Sequence, residues 1–350
     1  MVPVVELSRR ARRLADGFQE AAARVLASGR FLLGAELEAL EADLAAWSGH
    51  RHAVGVASGA SALQLALTAA GVGPGDEVLI PAFTAAPTAS AVWAAGAVPV
   101  PVDVDAETAE VDARGWDEAR TDRTRAIVVV HLYGRPAVVP VTDLIVIEDA
   151  AQAHGALAPP RVSRAVAYSF YPTKNLGGIG DGGAVMTDDD DLAARVRRLR
   201  VHGMVEQYVH TERSQNFRMS ELEAAWLRLA LPHLDEDNRR RRVITDRYRS
   251  AAPLRWQAGH PRHVHHLAVF RTAGRERARA VLHEHGVASA VHYPLAITQQ
   301  PAYRGFTRAT CAESEAWASS CITVPCFPEL TEEEVERVVV GLRAVLDADG

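Results

Sequence analysis

The sequence predicts an α/β protein built on a mostly parallel central sheet of seven strands, with a smaller α+β unit at its C-terminal end. Short apolar runs alternate with segments of helical periodicity between His52 and Thr187. The runs are apolar at nearly every position rather than every second one, as strands covered on both faces are. After about Arg249 the alternation gives way to shorter strands and helices. This places a larger part with N-terminal helices at 1–249 and a smaller part at 250–350.

Taken in order, Leu37, Leu40, Leu44 and Trp47 recur at helical spacing, and beyond Gly49 a buried strand is expected over 52–57. A helix over 60–70, a strand over 77–80, a helix over 84–95 and a strand over 98–102 continue the βαβ grammar. Further strands are expected at 126–132, 144–147, 165–170 and 183–187. Asp188 to Asp191 precede Arg195, Arg197, Arg198 and Arg200, so acids open a helix and bases close it, in accord with the macrodipole. Ser220 with Glu223, and Thr331 with Glu334, have capping-box spacing and open two more helices. The second part carries a strand over 265–271 and helices over 275–285 and 332–346.

Composition narrows the function classes. The 350 residues include 48% hydrophobic residues, enough for a sizeable core, which excludes disorder as the main state. With 38 Lys+Arg against 44 Asp+Glu the net charge is -6, so no general field attracts nucleic acid or an anionic membrane. The first thirteen residues lack an apolar signal core and no stretch approaches the length of a membrane span, so a soluble, cytoplasmic protein is expected. Cys311, Cys321 and Cys326 are odd in number and lack C-x-x-C spacing, which fits reduced thiols.

Several motifs have plain structural readings. Gly178, Gly180 and Gly183 satisfy G-x-G-x-x-G, but a strand follows them where a dinucleotide site needs a helix, so they are expected to shape a tight loop. His260, His263, His265 and His266 are dense but lack acidic partners and helical i,i+4 pairing; they are expected at the surface or a domain edge, and no metal is expected. Arg239 to Arg242 fall on a helix, where four consecutive residues spread around the axis.

The chemistry begins with a count. Of the 38 cationic residues, 37 are arginine and one, Lys174, is lysine. A guanidinium keeps its proton, whereas a desolvated ammonium can lose it and act as a nucleophile. Arginine bias alone would account for a stray lysine, but Lys174 lies just beyond a buried strand and is the one charged residue between Arg164 and Asp181. Such surroundings depress an amine's pKa. Twenty-five residues earlier, the run Ile145-Val-Ile-Glu-Asp ends with Asp149 at the carboxyl end of a parallel strand, where open α/β sheets place ligands. A lysine Schiff base with an aspartate on a pyridinium nitrogen is the chemistry of pyridoxal phosphate. Ser58-Gly-Ala-Ser-Ala-Leu lies where a strand meets a helix, so the N–H groups of Ala60 and Ser61 and the Ser61 hydroxyl are candidates for its phosphate.

With these motifs in place, the chain resembles the DegT/StrS-type sugar aminotransferases, enzymes of the aspartate-aminotransferase-like fold type I. The resemblance runs through Ser58-Gly-Ala-Ser-Ala-Leu, Gly73-Pro-Gly-Asp-Glu-Val, Glu148-Asp-Ala-Ala-Gln-Ala-His-Gly-Ala, Ser169-Phe-Tyr-Pro-Thr-Lys-Asn-Leu-Gly, Gly180-Asp-Gly-Gly, Asn216-Phe-Arg-Met and Val291-His-Tyr-Pro. It implies Lys174 as the Schiff-base lysine and proton shuttle, Asp149 on the pyridine nitrogen and Gln152 near the ring hydroxyl. It also implies Gly59, Ala60, Ser61 and Ser169 around the phosphate, with Asn216 reaching that phosphate from the neighbouring subunit of a homodimer. The implied reaction moves an amino group from an amino acid, glutamate, through the pyridoxamine form to a nucleotide-linked keto sugar. Gln152, where C-4 enzymes often carry His, favours a 3-keto-6-deoxyhexose on a dTDP carrier. The alternatives are a keto-cyclitol acceptor and a non-catalytic regulator that binds the same cofactor; Lys174 argues against the dehydratase branch, which has His there.

The chain departs from the family pattern at identifiable places. Ala85 stands where an aromatic usually stacks on the cofactor ring, with Phe83 two residues earlier as a candidate for that role or for the core. Ala60 replaces a usual Thr and Thr298 a usual His. The crossovers 133–143 and 155–164 are short for parallel strands and contain Pro136, Pro140, Pro159 and Pro160, so bare loops are expected there.

Overall fold

The computed structural model of the chain describes residues 1–157, 162–306 and 309–349. Helices α1 (Leu7–Ser28) and α2 (Ala35–Ser48) precede the first strand. The alternating region follows as β1 (His52–Val56), α3 (Gly59–Ala69), β2 (Glu77–Pro81), α4 (Ala86–Ala94), β3 (Val98–Val102), α5 (Ala113–Ala119), β4 (Thr124–Val130), β5 (Ile145–Asp149), β6 (Ala165–Ser169), β7 (Gly183–Thr187) and α6 (Asp190–Leu199). A hairpin of β8 (Met204–Glu206) and β9 (Val209–His210) leads to α7 (Glu221–Ala230) and α8 (Leu234–Ala251). The remainder holds β10 (Arg255–Trp256), β11 (Ala268–Arg271), α9 (Arg275–Glu284), α10 (Ala312–Ser320), β12 (Cys321–Val324) and α11 (Glu332–Asp349).

The central sheet has seven strands in the order β1-β7-β6-β5-β4-β2-β3, and β7 alone runs against its neighbours. Successive residues of one strand serve opposite layers. Ala165 and Ala167 join the cluster formed with Leu63 and Leu67 of α3, Val92 of α4 and Val196 of α6. Val166 and Tyr168 join the other, with Leu40 and Leu44 of α2 and Leu227 of α7. Burial on both faces explains why these strands read as continuous apolar runs. Chain order reverses between β2 and β4, and the loops at the carboxyl ends of β1, β2, β4, β5 and β6 meet at one rim.

A second sheet, β10-β11-β12, packs Phe270 and Ile322 with Val338 and Leu342 of α11 and with Ile244 and Tyr248 from the end of α8. The N-terminus is tied to this layer: the Val2 N–H donates to the Gly286 carbonyl at 2.7 Å, and the Val2 carbonyl accepts from Ala288 at 2.9 Å. Among the described residues no helix is long and apolar enough to cross a membrane.

Some local expectations hold and others change. The crossover from β4 to β5 is bare loop apart from a single 3-10 turn, Leu132–Gly134. In the second crossover Pro159 and Pro160 lie outside the described residues. The histidines are not a surface group: His263, His265 and His266 are buried, and the rings of His263 and His265 stack at 3.7 Å between centroids. Burial pushes the pKa of all three down, which keeps them neutral. Among the described residues no group of His, Cys, Asp or Glu is placed to hold a metal. The arginine run does fan out, with Arg239 paired to Glu236, Arg240 reaching Glu332 at 2.6 Å, and Arg241 turned inward.

The two capping boxes differ. Thr331 and Glu334 exchange both bonds, at 3.2 and 2.9 Å. Ser220 accepts from the Glu223 N–H at 3.2 Å, but the Glu223 carboxylate turns away and accepts from the N–H groups of Ile179 (3.2 Å) and Gly180 (3.0 Å). A Cβ on Gly178 would lie 1.5 Å from the Glu223 carboxylate, so glycine is required for this approach. Burial raises the Glu223 pKa from 4.5 to about 7, with Asp181 adding to the rise and the two amides opposing it. The folded state therefore holds this proton more tightly than the unfolded chain. The contribution is complete below pH 4.5 and is lost as pH rises through 7. We expect the wild type to lose about 3 kcal/mol relative to Glu223→Gln across that window, read by urea unfolding at a series of pH values.

Candidate active site

Asp149 is the last residue of β5, and the strand's two-residue period sends it and Glu148 to opposite sides. Glu148 pairs with His131 at 2.8 Å. Asp149 is buried; one of its oxygens accepts from the Thr88 hydroxyl at 2.9 Å and the other from the Ala151 N–H at 3.1 Å. Thr88 sits in the first turn of α4, and its hydroxyl also lies 3.2 Å from that of Thr84. Burial raises the pKa of Asp149; the two bonds and the positive charge of Lys174 work against that rise.

Lys174 follows β6 in a loop that its own backbone closes: the Lys174 N–H donates to the Tyr171 carbonyl at 2.8 Å and the Gly178 N–H to Phe170 at 2.7 Å. Three other elements hold this loop. Trp226 of α7 donates its indole N–H to Gly177 at 2.9 Å, and the Asn175 amide donates to Asn238 of α8 at 2.8 Å. From α1, the buried Arg10 guanidinium donates to the carbonyls of Lys174 (3.1 Å) and Pro172 (3.3 Å). A Cβ on Gly177 would stand 2.4 Å from that guanidinium, so only glycine admits it. The Lys174 side chain is half-buried by area, but what it faces is a cavity rather than bulk water. Desolvation lowers its pKa to about 8, with Asp149 pulling in the opposite direction.

The third part is the N-terminus of α3. Ser58 caps it, accepting from the Ser61 N–H at 3.1 Å while the two hydroxyls lie 2.9 Å apart. The Ser61 N–H is thus taken by the cap, and Ser61 is not among the residues that line the cavity. Gly59 and Ala60 do, which leaves the first N–H groups of the helix as its anion donors. Here the chain segments touch through backbone: a Cβ on Gly59 would come within 2.5 Å of the Ser169 Cβ, and one on Gly183 within 2.3 Å of the Ser58 carbonyl.

These parts face one cavity of about 520 Å³, which brings together Gly59, Ala60, Asp149, Gln152, Ser169 and Lys174. Gln152 is fixed at both ends, accepting from the Tyr133 N–H at 2.6 Å and donating to the Tyr293 hydroxyl at 2.9 Å. Asn216 is exposed, its side chain accepting from Arg218 at 2.8 Å, and lies outside the cavity of its own chain. Ala85 lines the cavity, whereas Phe83 is fully buried and stacks on Trp317 at 5.7 Å between centroids. Phe83 therefore has the core role, not the stacking one. Thr88, His131 and Tyr293 also line the cavity and were not singled out from sequence. His131 offered a signal, because it stands directly after an apolar strand at the sheet's ligand-binding rim. Thr88 offered none beyond its nearness to α4's start.

An amine that loses its proton near neutrality, a buried carboxylate, and a helix N-terminus in a glycine-lined cradle fit pyridoxal 5′-phosphate on all three sides. The DegT/DnrJ/EryC1/StrS aminotransferase family model matches residues 13–343. The "dTDP-3-amino-3,4,6-trideoxy-alpha-D-glucose transaminase" of Streptomyces venezuelae is 41% identical, over 98% of this chain and 95% of its own. The "Pleiotropic regulatory protein" of Geobacillus stearothermophilus is 39% identical, over 97% of this chain and 96% of its own. The crystal structure of S. venezuelae DesV in complex with a ketimine intermediate superimposes with a TM-score of 0.92 at 39% identity, covering 98% of this chain and 97% of that one. The cofactor is pyridoxal 5′-phosphate, whose pyridoxamine form is present in related structures. By sequence match, by fold and by the site that the fold assembles, the chain belongs to the DegT/DnrJ/EryC1/StrS aminotransferase family.

Proposed function

We propose that this protein transfers an amino group from glutamate to a nucleotide-linked keto sugar, with a 3-keto-6-deoxyhexose on a dTDP carrier as the acceptor. The observation that carries this reading is the convergence of the chain's single lysine amine and the Asp149 carboxylate on one cavity. The Streptomyces venezuelae relative, named for a dTDP-3-amino sugar, supports the choice of acceptor. When bound, the cofactor supplies an aldehyde carbon that carries nitrogen and a ring that accepts electrons.

The protein's own groups do the rest. Lys174 Nζ would hold the cofactor and, once released, serve as the base and acid that moves the substrate's proton in each half of the cycle. Asp149 keeps a proton at the ring nitrogen, and the bonds from Thr88 and Ala151 fix the carboxylate for that purpose. The N–H groups of Gly59 and Ala60, with Ser169, hold the phosphate. Gln152, fixed through Tyr133 and Tyr293, orients the ring hydroxyl. We further propose a cytoplasmic homodimer in which Asn216 completes the partner's phosphate site, with residues 1–249 as the cofactor-binding domain and 250–350 as the smaller one. The exposed Phe31, Trp93 and Tyr208 supply apolar area for such a contact.

A regulatory role is the second reading, favoured by the Geobacillus stearothermophilus relative and by the absence of a stacking ring at Ala85. Turnover separates the two. Incubation with glutamate and the dTDP-linked keto sugar should yield 2-oxoglutarate and the amino sugar. Turnover of a keto-cyclitol alone would move the acceptor class, and no turnover with either would favour the regulator.

Two further outcomes concern Lys174 itself. Borohydride reduction of the loaded protein should place the cofactor on one peptide, the one containing Lys174, while Lys174→Arg should remain colourless and lose at least ~10²-fold in turnover. An adduct elsewhere would overturn the assignment. Competitive acetylation of cofactor-free protein with acetic anhydride, followed by peptide mapping, should show Lys174 reactivity rising with pH and levelling off above a midpoint near 8. A midpoint near 10.5, the ordinary lysine value, would mean that the amine is not desolvated.

A further inference from the structure

A second cavity of about 270 Å³ opens on the other side of Lys174. It shares Gln152, Tyr171, Lys174 and Tyr293 with the larger cavity, so the two meet at the lysine. Its remaining polar lining is Thr173, Arg241, His266, His292 and the Cys326 thiol, and no carboxylate lines it. Its apolar wall includes Val5, Leu267 and Phe327. The N-terminal segment that carries Val5 is held in place by the bonds of Val2 to Gly286 and Ala288.

Arg241 is the unusual member. It is 3% exposed, and its Nη1 donates to the backbone carbonyls of Cys326, His265 and His266, the last two at 3.5 Å. Its Nε is buried without a partner, and the Cys326 thiol is a further neighbour of the guanidinium. Asp237 and Glu329 are the acids whose field it feels, and both are engaged by Arg13, at 2.6 and 3.7 Å. A guanidinium keeps its charge when buried, and a buried charge without a counterion is costly. Burial together with the charge of Lys174 pushes His266 and His292 down, so neither competes as a cation and both remain hydrogen-bonding groups. The volume is below the ~300–1,000 Å³ usual for ligand sites, which suits an amino acid and excludes a sugar nucleotide.

From this geometry we infer that the smaller cavity binds the carboxylate of the amino-acid donor, with Arg241 as its charge partner and the Val5, Leu267 and Phe327 wall against the donor's methylenes. The inference rests on the aminotransferase reading and adds a separate place for the donor. A planar guanidinium in the wall of a cavity that no carboxylate lines suits a carboxylate ligand. The two-cavity arrangement lets the donor's amine reach the cofactor beside Lys174 while its carboxylate stays apart from the space that the acceptor must fill.

The test is calorimetric titration of cofactor-loaded protein with glutarate, a dicarboxylate that has no amine to react, against glutaramide as the neutral control. Loading first occupies the α3 N-terminus, so the remaining anion site is the one being read. We expect saturable glutarate binding, no glutaramide binding, and affinity at least tenfold weaker in Arg241→Gln. Val5→Glu, which adds a negative charge from an exposed position on the wall, should weaken glutarate at least threefold with an unchanged melting temperature. If Arg241→Gln does not fold, Val5→Glu decides alone. Unchanged affinity in the folded variants, or glutaramide binding as well as glutarate, overturns the inference. Failure of the aminotransferase reading would show differently, as a protein that takes up no cofactor while still binding glutarate at this cavity.

Discussion

The role proposed for Lys174 requires an amine that loses its proton readily beside a buried carboxylate, and the elements around it hold that balance. Desolvation lowers the lysine to about 8, while the charge of Asp149 would hold the proton on. Thr88 and Ala151 satisfy Asp149 with their own hydrogen bonds, so the carboxylate does not depend on Lys174 for its partners. Position matters as much as charge. The loop bearing the lysine is tied to α1 by Arg10, to α7 by Trp226 and to α8 through Asn175. Helices far apart in sequence thus fix one side chain, which is what a proton shuttle at a defined atom requires.

The contrast between Arg10 and Lys174 explains why the two cations are not interchangeable here. Both are deeply placed, and burial lowers both. Arg10 falls to about 10 and stays charged at neutral pH, with its planar fork serving two carbonyls. Lys174 falls to about 8, within reach of the neutral amine. The 37 arginines include structural cations of this sort, among them Arg241 deep in α8. The single lysine stands where burial brings the neutral amine within reach, as the role proposed for it requires. Glu223 is the acidic counterpart: its carboxylate gives up half of a capping box to hold the amides of the glycine loop that leads to Asp181 on the cavity wall.

Much of the fold was legible because burial on both faces writes continuous apolar strands and the helices between them carry their own periodicity. That Asp149, Gln152, Ser169 and Lys174 would share one cavity was legible for a related reason, since each stands at or just past a strand's end on the same rim of the sheet. The misreadings share a cause as well. Ser61 was expected to offer both N–H and hydroxyl to an anion, but its N–H is taken by Ser58 three residues away, a local competition that spacing does not resolve. Glu223 has the spacing of a capping box, and only the neighbouring Gly178 makes a different partner reachable. His263, His265 and His266 lack acidic neighbours in sequence, yet they are buried where α8 and the Lys174 loop pack together, with His266 hydrogen-bonded to Asn175 at 3.0 Å.

The sequence by itself determined the chemistry: one exchangeable amine, an acid at a strand's carboxyl end and a serine-glycine turn into a helix. These are properties of residue type and local order, which periodicity and composition record. Tertiary structure decided which groups are free to act. It put Phe83 against Trp317 and left Ala85 on the cavity, and it opened a second cavity beside Lys174 with Arg241 in its wall. Such outcomes depend on which distant segments come within about 3 Å of one another, and hydrogen bonding and desolvation act only at that range. No pattern along the chain carries that distance.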